Sequence, residues 1–245
     1  SWFGELFVSV SNTGTPQGIP TKLASINVAE GGKTYSSKDG VVYSADGTTL
    51  LYCPAEKTSI SFDKNTTTFG KYAFYKSKIN SMELPEKLES IGDAAFYSSS
   101  VKYLKFPDTV RKIGKNAFFN AAIQSVSLNE GLETIGGYAF SAAHIGGITI
   151  PASVKSIGEW NFDYDYGTDK YIVIKGSDTT IGTSAIPSWY AVDVYAPSGS
   201  KAEEYVNNAK ASGSSKLKFH PIDEFVAATE LKISDSLLTL SRQEE

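Results

Sequence analysis

Six hexapeptides of one pattern punctuate this chain. They are Phe69-Gly70-Lys71-Tyr72-Ala73-Phe74, Ile91-Gly92-Asp93-Ala94-Ala95-Phe96, Ile113-Gly114-Lys115-Asn116-Ala117-Phe118, Ile135-Gly136-Gly137-Tyr138-Ala139-Phe140, Ile157-Gly158-Glu159-Trp160-Asn161-Phe162 and Ile181-Gly182-Thr183-Ser184-Ala185-Ile186. Their first residues fall at 69, 91, 113, 135, 157 and 181, so four steps are 22 residues and the last is 24. A unit that short cannot bury an apolar face alone, and a fixed period of this size specifies a solenoid of stacked coils. The composition, 41% hydrophobic and 12% aromatic over 245 residues, can supply the continuous core such a stack needs.

Each repeat reads in three parts. An L-x-x-L-x-L strand comes first: Ile79–Leu84, Val101–Phe106, Ile123–Leu128 and Ile145–Ile150. A corner follows at Pro85, Pro107 or Pro151, with Asn129 in that place once. A short run then reaches the Ile-Gly step, and Ala-Phe forms a turn or short helix. Small residues three places beyond each Phe (Ser77, Ser99, Ala121, Ala143) let coils approach. Successive strands should stack in parallel about 4.8 Å apart, with Ile, Leu and Phe in interior ladders. The glycine after each Ile belongs where a Cβ would clash or φ is positive. The expected fold is an α/β-type repeat solenoid with a parallel β-sheet on one face.

The ends differ from the middle. Residues 1–29 read as an N-terminal cap or degenerate first coil, with a Gly/Pro/Thr-rich loop from Asn12 to Pro20. Residues 30–58 form a β-hairpin unit, two β-rich runs around Ala45-Asp46-Gly47-Thr48. The repeats fill 59–197. Residues 198–227 read as a C-terminal cap whose short helix is capped by Ser198 or Ser200. Residues 228–245 are strand-like and read as a linker or the start of another domain.

The repeats resemble the BspA-like leucine-rich repeats, whose motif is roughly I-x-I-P-x-S-V-x-x-I-G-x-x-A-F. Ile148-Thr149-Ile150-Pro151-Ala152-Ser153-Val154-Lys155-Ser156-Ile157-Gly158 carries the likeness most closely. Tyr35–Tyr43 and Val194–Ser200 resemble that family's accessory hairpin and terminal coil, and the tail from Ala228 resembles the first strands of a bacterial immunoglobulin-like domain. The family's usual Cys after Ala-Phe is Ser or Ala here. The resemblance implies a right-handed leucine-rich-repeat coil in a secreted or surface-attached bacterial protein, with binding or adhesion roles in some members. It names no ligand and brings no catalytic residues.

Charge and motifs narrow the function. A net charge of -4, mixed in sign along the chain, marks no nucleic-acid surface. The single Cys53 allows no internal disulfide, which suits the cytosol or a bacterial exterior protein that does without them. No apolar run approaches the ~20 residues of a membrane span. The chain begins at Ser1 with no signal-like apolar region, as a mature or trimmed product would. Only His144 and His220 could serve as histidine bases, and no G-x-S-x-G occurs. Pro197–Lys201 lacks the spacing of a phosphate loop, and no carboxylate pair is marked for glycoside hydrolysis. No cofactor and no catalysis are expected, and a hydrolase is the least favoured reading.

Two places remain for a ligand. Asp163, Asp165 and Asp169, with Gly167, alternate as hard-cation ligands do, but lack the distal Glu of an EF-hand and also suit a solvated turn in the lengthened fifth coil. On the strands, the third and fifth positions should point outward. They are Ser81 and Glu83, Tyr103 and Lys105, Ser125 and Ser127, Gly147 and Thr149, Tyr171 and Val173, Asp193 and Tyr195. Among them Glu83, Tyr103, Lys105, Tyr171 and Tyr195 are the candidate contacts for a protein or glycan partner, since Tyr is a rigid amphipathic interface residue. A structural spacer is the alternative.

Overall fold

In the computed structural model of the chain, the residues described are 9–10, 16–29, 32–143, 145–162, 171–213 and 215–225. Strands are numbered in chain order. The two-residue β1 (Ser9–Val10) and β2 (Pro16–Gln17) pair antiparallel. Then β3 (Tyr35–Lys38), β4 (Val41–Ser44) and β5 (Thr49–Tyr52) form an antiparallel meander, with turns at Asp39-Gly40 and Asp46-Gly47. From β5 onward the sheet turns parallel: β6 (Thr68–Phe69), β7 (Ser90–Ile91), β9 (Lys112–Ile113), β11 (Thr134–Ile135), β13 (Ser156–Ile157) and β15 (Thr180–Ile181) follow in order. Phe69, Ile91, Ile113, Ile135, Ile157 and Ile181 thus lie in one row, a direct consequence of the repeat period.

The expectation of a parallel sheet on one face needs correction. The nine-stranded sheet runs through the Ile-Gly steps, while the L-x-x-L-x-L strands form two separate parallel sheets. One pairs β8 (Tyr103–Lys105) with β10 (Ser125–Ser127), joined by a bridge from Ser81 to Tyr103. The other orders β12 (Gly147–Ile150), β14 (Tyr171–Ile174), β16 (Val192–Ala196) and β17 (Leu217–Pro221). The break falls at Gly146-Gly147, where a strand has no side chain to pack and most backbone entropy to lose.

The α/β-type expectation also needs correction, because the described repeats contain no helix. The Ala-Phe segments are turns, with two left-handed residues in most coils. One row is Tyr72, Ala94, Asn116, Tyr138, Trp160 and Ser184 at φ 52–60°; the other is Lys76, Ser98, Asn120 and Ala142 at φ 52–55°. Such a residue costs about 1–2 kcal/mol when it is not glycine. The cost is offset by hydrogen bonds to the next coil, where Tyr72, Ala94, Asn116 and Tyr138 N–H donate to the carbonyls of Asp93, Lys115, Gly137 and Glu159 at 2.8–3.1 Å. The architecture is a β-solenoid whose coils are hydrogen-bonded to one another through strands and turns alike.

Inside, the phenylalanines stack face to face. Phe74 and Phe96 have ring centroids 4.7 Å apart, Phe96 and Phe118 5.1 Å, Phe118 and Phe140 5.3 Å, and Phe140 and Phe162 6.2 Å. Those separations follow the coil spacing, so the column is one ring per coil. Ser77, Ser99, Ala121 and Ala143 are buried beside it. The glycines of the Ile-Gly steps have ordinary φ, and the reason for glycine there is close approach: a Cβ on Gly136 would lie 2.6 Å from the Gly114 carbon and the Lys115 nitrogen. Asn129, at the corner filled elsewhere by Pro, is buried and donates to the Val110 carbonyl at 2.9 Å.

After the repeats, helix α1 (Lys201–Ala211) starts at Ser200, whose hydroxyl accepts from the Glu203 N–H at 3.3 Å. Glu203 reaches back to the Gly199 N–H at 2.7 Å, and Lys210 lies in the last turn, so both ends complement the helix dipole. Ala202 and Val206 are buried, and the Tyr205 hydroxyl bonds both the N–H and the carbonyl of Ile186.

The meander end of the core holds acids that burial keeps protonated. Desolvation pushes the Cys53 thiol from 9.0 up to about 12, and the Tyr43 and Tyr52 phenols from 10.0 up to about 12. Below pH 9 these groups hold their protons in the folded and unfolded chain alike, and their contribution to stability is complete. Above it only the unfolded chain releases them readily, so stability should fall steadily as pH rises from 9 towards 12. Melting curves at stepped alkaline pH would show this; a flat profile over that window would contradict it. Cys53 should likewise resist thiol reagents until the chain unfolds.

Candidate functional site

The five strand-face residues fall into two groups. Glu83, Tyr103 and Lys105 are exposed together around a shallow depression of about 580 Å³, floored by Met82 and Leu104 and flanked by Ser81, Ser125 and Ser127. Alternation in β8 creates this arrangement: Leu104 points into the core and is 4% exposed, while Tyr103 is 56% exposed. The Tyr103 hydroxyl donates to the Gln124 amide oxygen at 2.5 Å, which fixes the ring from the next coil. No large rearrangement would be needed for its face to meet a partner.

Tyr171 and Tyr195 lie in the other sheet, on neighbouring strands β14 and β16. Their rings are brought together by Phe225, whose centroid is 5.3 Å from that of Tyr171 and 5.1 Å from that of Tyr195. The Tyr171 ring also lies across Gly147, where a Cβ would come within 2.4 Å of it. Tyr195 stacks on His220 at 4.8 Å. His220 is held on both sides, with Nε2 2.9 Å from Asp193 and Nδ1 3.2 Å from Glu224. Val173, expected to point outward into solvent, is instead 2% exposed. It sits in register between Thr149 and Tyr195, on the sheet where Phe225 is laid down from outside the repeats. The signal for this was Phe225 and His220 just beyond the repeat region, but nothing in the period indicated where they would land.

The hairpin turn has a structural role, and the other sequence candidates lie elsewhere. The Asp46 carboxylate accepts from the Ser44 hydroxyl at 2.6 Å and from the Thr48 N–H and hydroxyl at 3.0 and 2.8 Å, and these bonds hold it down at about 2. It closes the turn between β4 and β5. Asp163, Asp165 and Asp169, His144, and the tail from Ala228 lie outside the described residues. Among the described residues no cluster of His, Cys, Asp or Glu could hold a metal ion, and no helix is long and apolar enough to cross a membrane.

The fifth coil's departure from pattern has a structural account. In earlier coils the Phe N–H donates to the carbonyl of the next coil's alanine, as from Phe118 to Ala139 at 2.8 Å. At Phe140 the acceptor is the Asn161 side-chain oxygen at 3.3 Å, and the same amide donates to the Gly136 and Gly158 carbonyls at 2.8 and 2.9 Å. Asn161→Ala, which restores the repeat consensus, should therefore destabilise the protein by about 1–3 kcal/mol, since it strands buried backbone groups. Denaturant unfolding of the variant would test this, and a gain in stability would refute it.

A stack of 22-residue coils with parallel strands, interior Phe and Ile-Gly steps is a leucine-rich-repeat solenoid. Residues 49–169 match the BspA type Leucine rich repeat region in six copies, so this stretch of the chain is a repeat region of that type. Among solved structures, the pneumococcal vaccine antigen PcpA is similar at 22% identity and a TM-score of 0.50, over 81% of this chain and 50% of that one. A leucine-rich repeat protein from Eubacterium ventriosum has 20% identity and a TM-score of 0.45, over 69% of this chain and 55% of that one. One from Bacteroides ovatus has 17% identity and a TM-score of 0.36, over 78% and 69%. The chain thus spans about half the length of the first two, and the likeness to the antigen is one of fold. No curated protein matches.

Proposed function

We propose that this chain is a non-enzymatic binding module of a bacterial surface or secreted protein, and that it meets a partner with the face bearing Glu83, Tyr103 and Lys105. The observation that carries this is the exposed Tyr103, 56% accessible and fixed by Gln124, between charges of both signs in a shallow depression. A rigid aromatic ring ringed by small serines and opposite charges suits a folded protein surface, with the charges setting orientation. The vaccine antigen among its structural neighbours supports an exterior location. In this reading α1 closes the apolar end of the stack, and the meander of β3–β5 closes the other, as an open solenoid end requires.

The test is a matrix-protein and glycan array on the purified chain, followed by the Tyr103→Ala/Lys105→Glu variant against whichever partner binds. Binding should weaken by at least about tenfold, or 1.4 kcal/mol, with the melting temperature unchanged. Unaltered affinity would move the site elsewhere, to the Tyr171–Tyr195 patch first. No partner on the array would favour the spacer reading, for which the continuous ladder from β6 to β15 is suited.

A further inference from the structure

The turn side of the solenoid carries a second aromatic column, and the column has a gap. Its positions are the fourth residues of the hexapeptides: Tyr72, Ala94, Asn116, Tyr138 and Trp160 in successive coils. Tyr138 and Trp160 stack at 6.5 Å with planes 14° apart, and Trp189 continues the row at 5.8 Å from Trp160. Beside it runs a parallel row in which Tyr97 and Phe119 stack at 4.9 Å. Between Tyr72 and Tyr138, two coils carry only Ala94 and Asn116. The result is a concavity of about 280 Å³ with Tyr72 and Tyr138 as end walls, Tyr97 and Phe119 alongside and Ala94 and Asn116 as floor. Three coil steps separate the end walls, about 14 Å.

We propose that this slot binds carbohydrate, taking one or two sugar rings between the tyrosines. At about 280 Å³ the slot falls just below the usual range of ligand pockets, about 300–1,000 Å³, and suits a compact ring better than a folded surface. Tyr138, Tyr97 and Phe119 are half-buried and offer aromatic surface to the C–H faces of a pyranose, while the buried Tyr72 closes the far end. The polar groups are few and placed at the floor and rim: the Asn116 amide, which can donate and accept, and the Lys115 ammonium, 5.6 Å from the Tyr138 centroid. Those are the partners that sugar hydroxyls require. A cationic ligand is disfavoured, because Lys115 over Tyr138 and Lys71 over Tyr72 already place positive charge at both end rings. An extended peptide lying along the column would run into a wall at each end. Tyr138 is backed by Trp160, and Tyr72 and Ala94 belong to an apolar cluster with Ile19, Tyr52 and Tyr75. None of these residues belongs to the strand face around Tyr103.

The test uses the whole chain titrated calorimetrically with cellotetraose, maltotetraose and chitotetraose, and with a decaproline peptide. At least one oligosaccharide should bind at millimolar concentration and decaproline should not. Asn116→Tyr should then lower the affinity at least about tenfold by filling the slot. This variant should fold, because Tyr72 and Tyr138 hold φ 60° and 58° at the equivalent positions against 56° at Asn116. Tyr138→Ala, which removes a wall, should weaken binding as well, and Tyr103→Ala should leave it unchanged. The proposal is overturned if none of the three sugars binds, if binding survives Asn116→Tyr, or if decaproline binds instead. Loss through Tyr103→Ala alone would assign the sugar to the strand face.

Discussion

Phe118→Ala should unfold at markedly lower denaturant concentration than the parent chain, with a loss of about 3–5 kcal/mol. Phe118 is fully buried in the middle of the interior column, with Phe96 at 5.1 Å on one side and Phe140 at 5.3 Å on the other. The Phe106 ring lies tilted against it, with centroids 6.1 Å apart. Removing the ring deletes its transfer free energy and leaves a cavity that the neighbouring coils cannot close, since their spacing is fixed by hydrogen bonds on several sides. Ladder bonds such as Phe96 N–H to the Ala117 carbonyl at 2.7 Å hold the gap open. Domain stabilities are only about 5–15 kcal/mol, so the substitution consumes a large part of the total. Equilibrium unfolding in urea measures it, and a midpoint within error of the parent would contradict the interior assignment.

Gly136→Ala is the second large effect, and it arises from excess rather than loss. The added Cβ would lie 2.6 Å from two backbone atoms of the preceding coil and 2.8 Å from the Gly114 carbonyl oxygen. A side chain could rotate away; a backbone held in a ladder cannot. The two coils must separate, which stretches the 2.8 Å bond from the Gly136 N–H to the Ile113 carbonyl. Overpacking of this kind costs about 1–3 kcal/mol or more. Gly146→Ala is the matched control, since nothing lies within 4 Å of its Cβ position and its φ is ordinary. That change should stay within about 0.5 kcal/mol. Equal effects of the two substitutions would show that close approach is not why glycine occupies the column.

Much of the architecture could be read directly from the period, because a repeat in sequence becomes a row in space. Ile91, Ile113 and Ile135 had to align once coils stacked, and Phe96, Phe118 and Phe140 with them. The left-handed turns were not legible. Asn116 and Asn120 suit positive φ, but Ala94, Tyr138 and Trp160 carry no such signature. Their conformation is imposed by bonds to the adjoining coil, which single-residue preferences do not report. The same limit applied to the strand face. Tyr103 was correctly placed outside by alternation alone, whereas Val173, placed outside by the same rule, is buried in register beside the Tyr195 that Phe225 packs against. The slot was not read from the sequence, although the change from Tyr72 to Ala94 and Asn116 and back to Tyr138 marks it. Its meaning required knowing that those four positions share one face.

The hydrogen bonds between coils have a mechanical consequence. They point along the stacking axis, and each junction carries several: between the coils of Ile91 and Ile113, bonds run from Gly114 to Ile91, Ala94 to Lys115, Phe96 to Ala117 and Ser98 to Phe119. A pull along the axis therefore loads all the bonds of a junction at once, as rivets across one seam share a load. A pull on a single turn loads them one after another, as in opening a zipper. The same molecule should be stiff lengthwise and easily peeled from the side, a directional strength suited to any chain held in tension by its two ends.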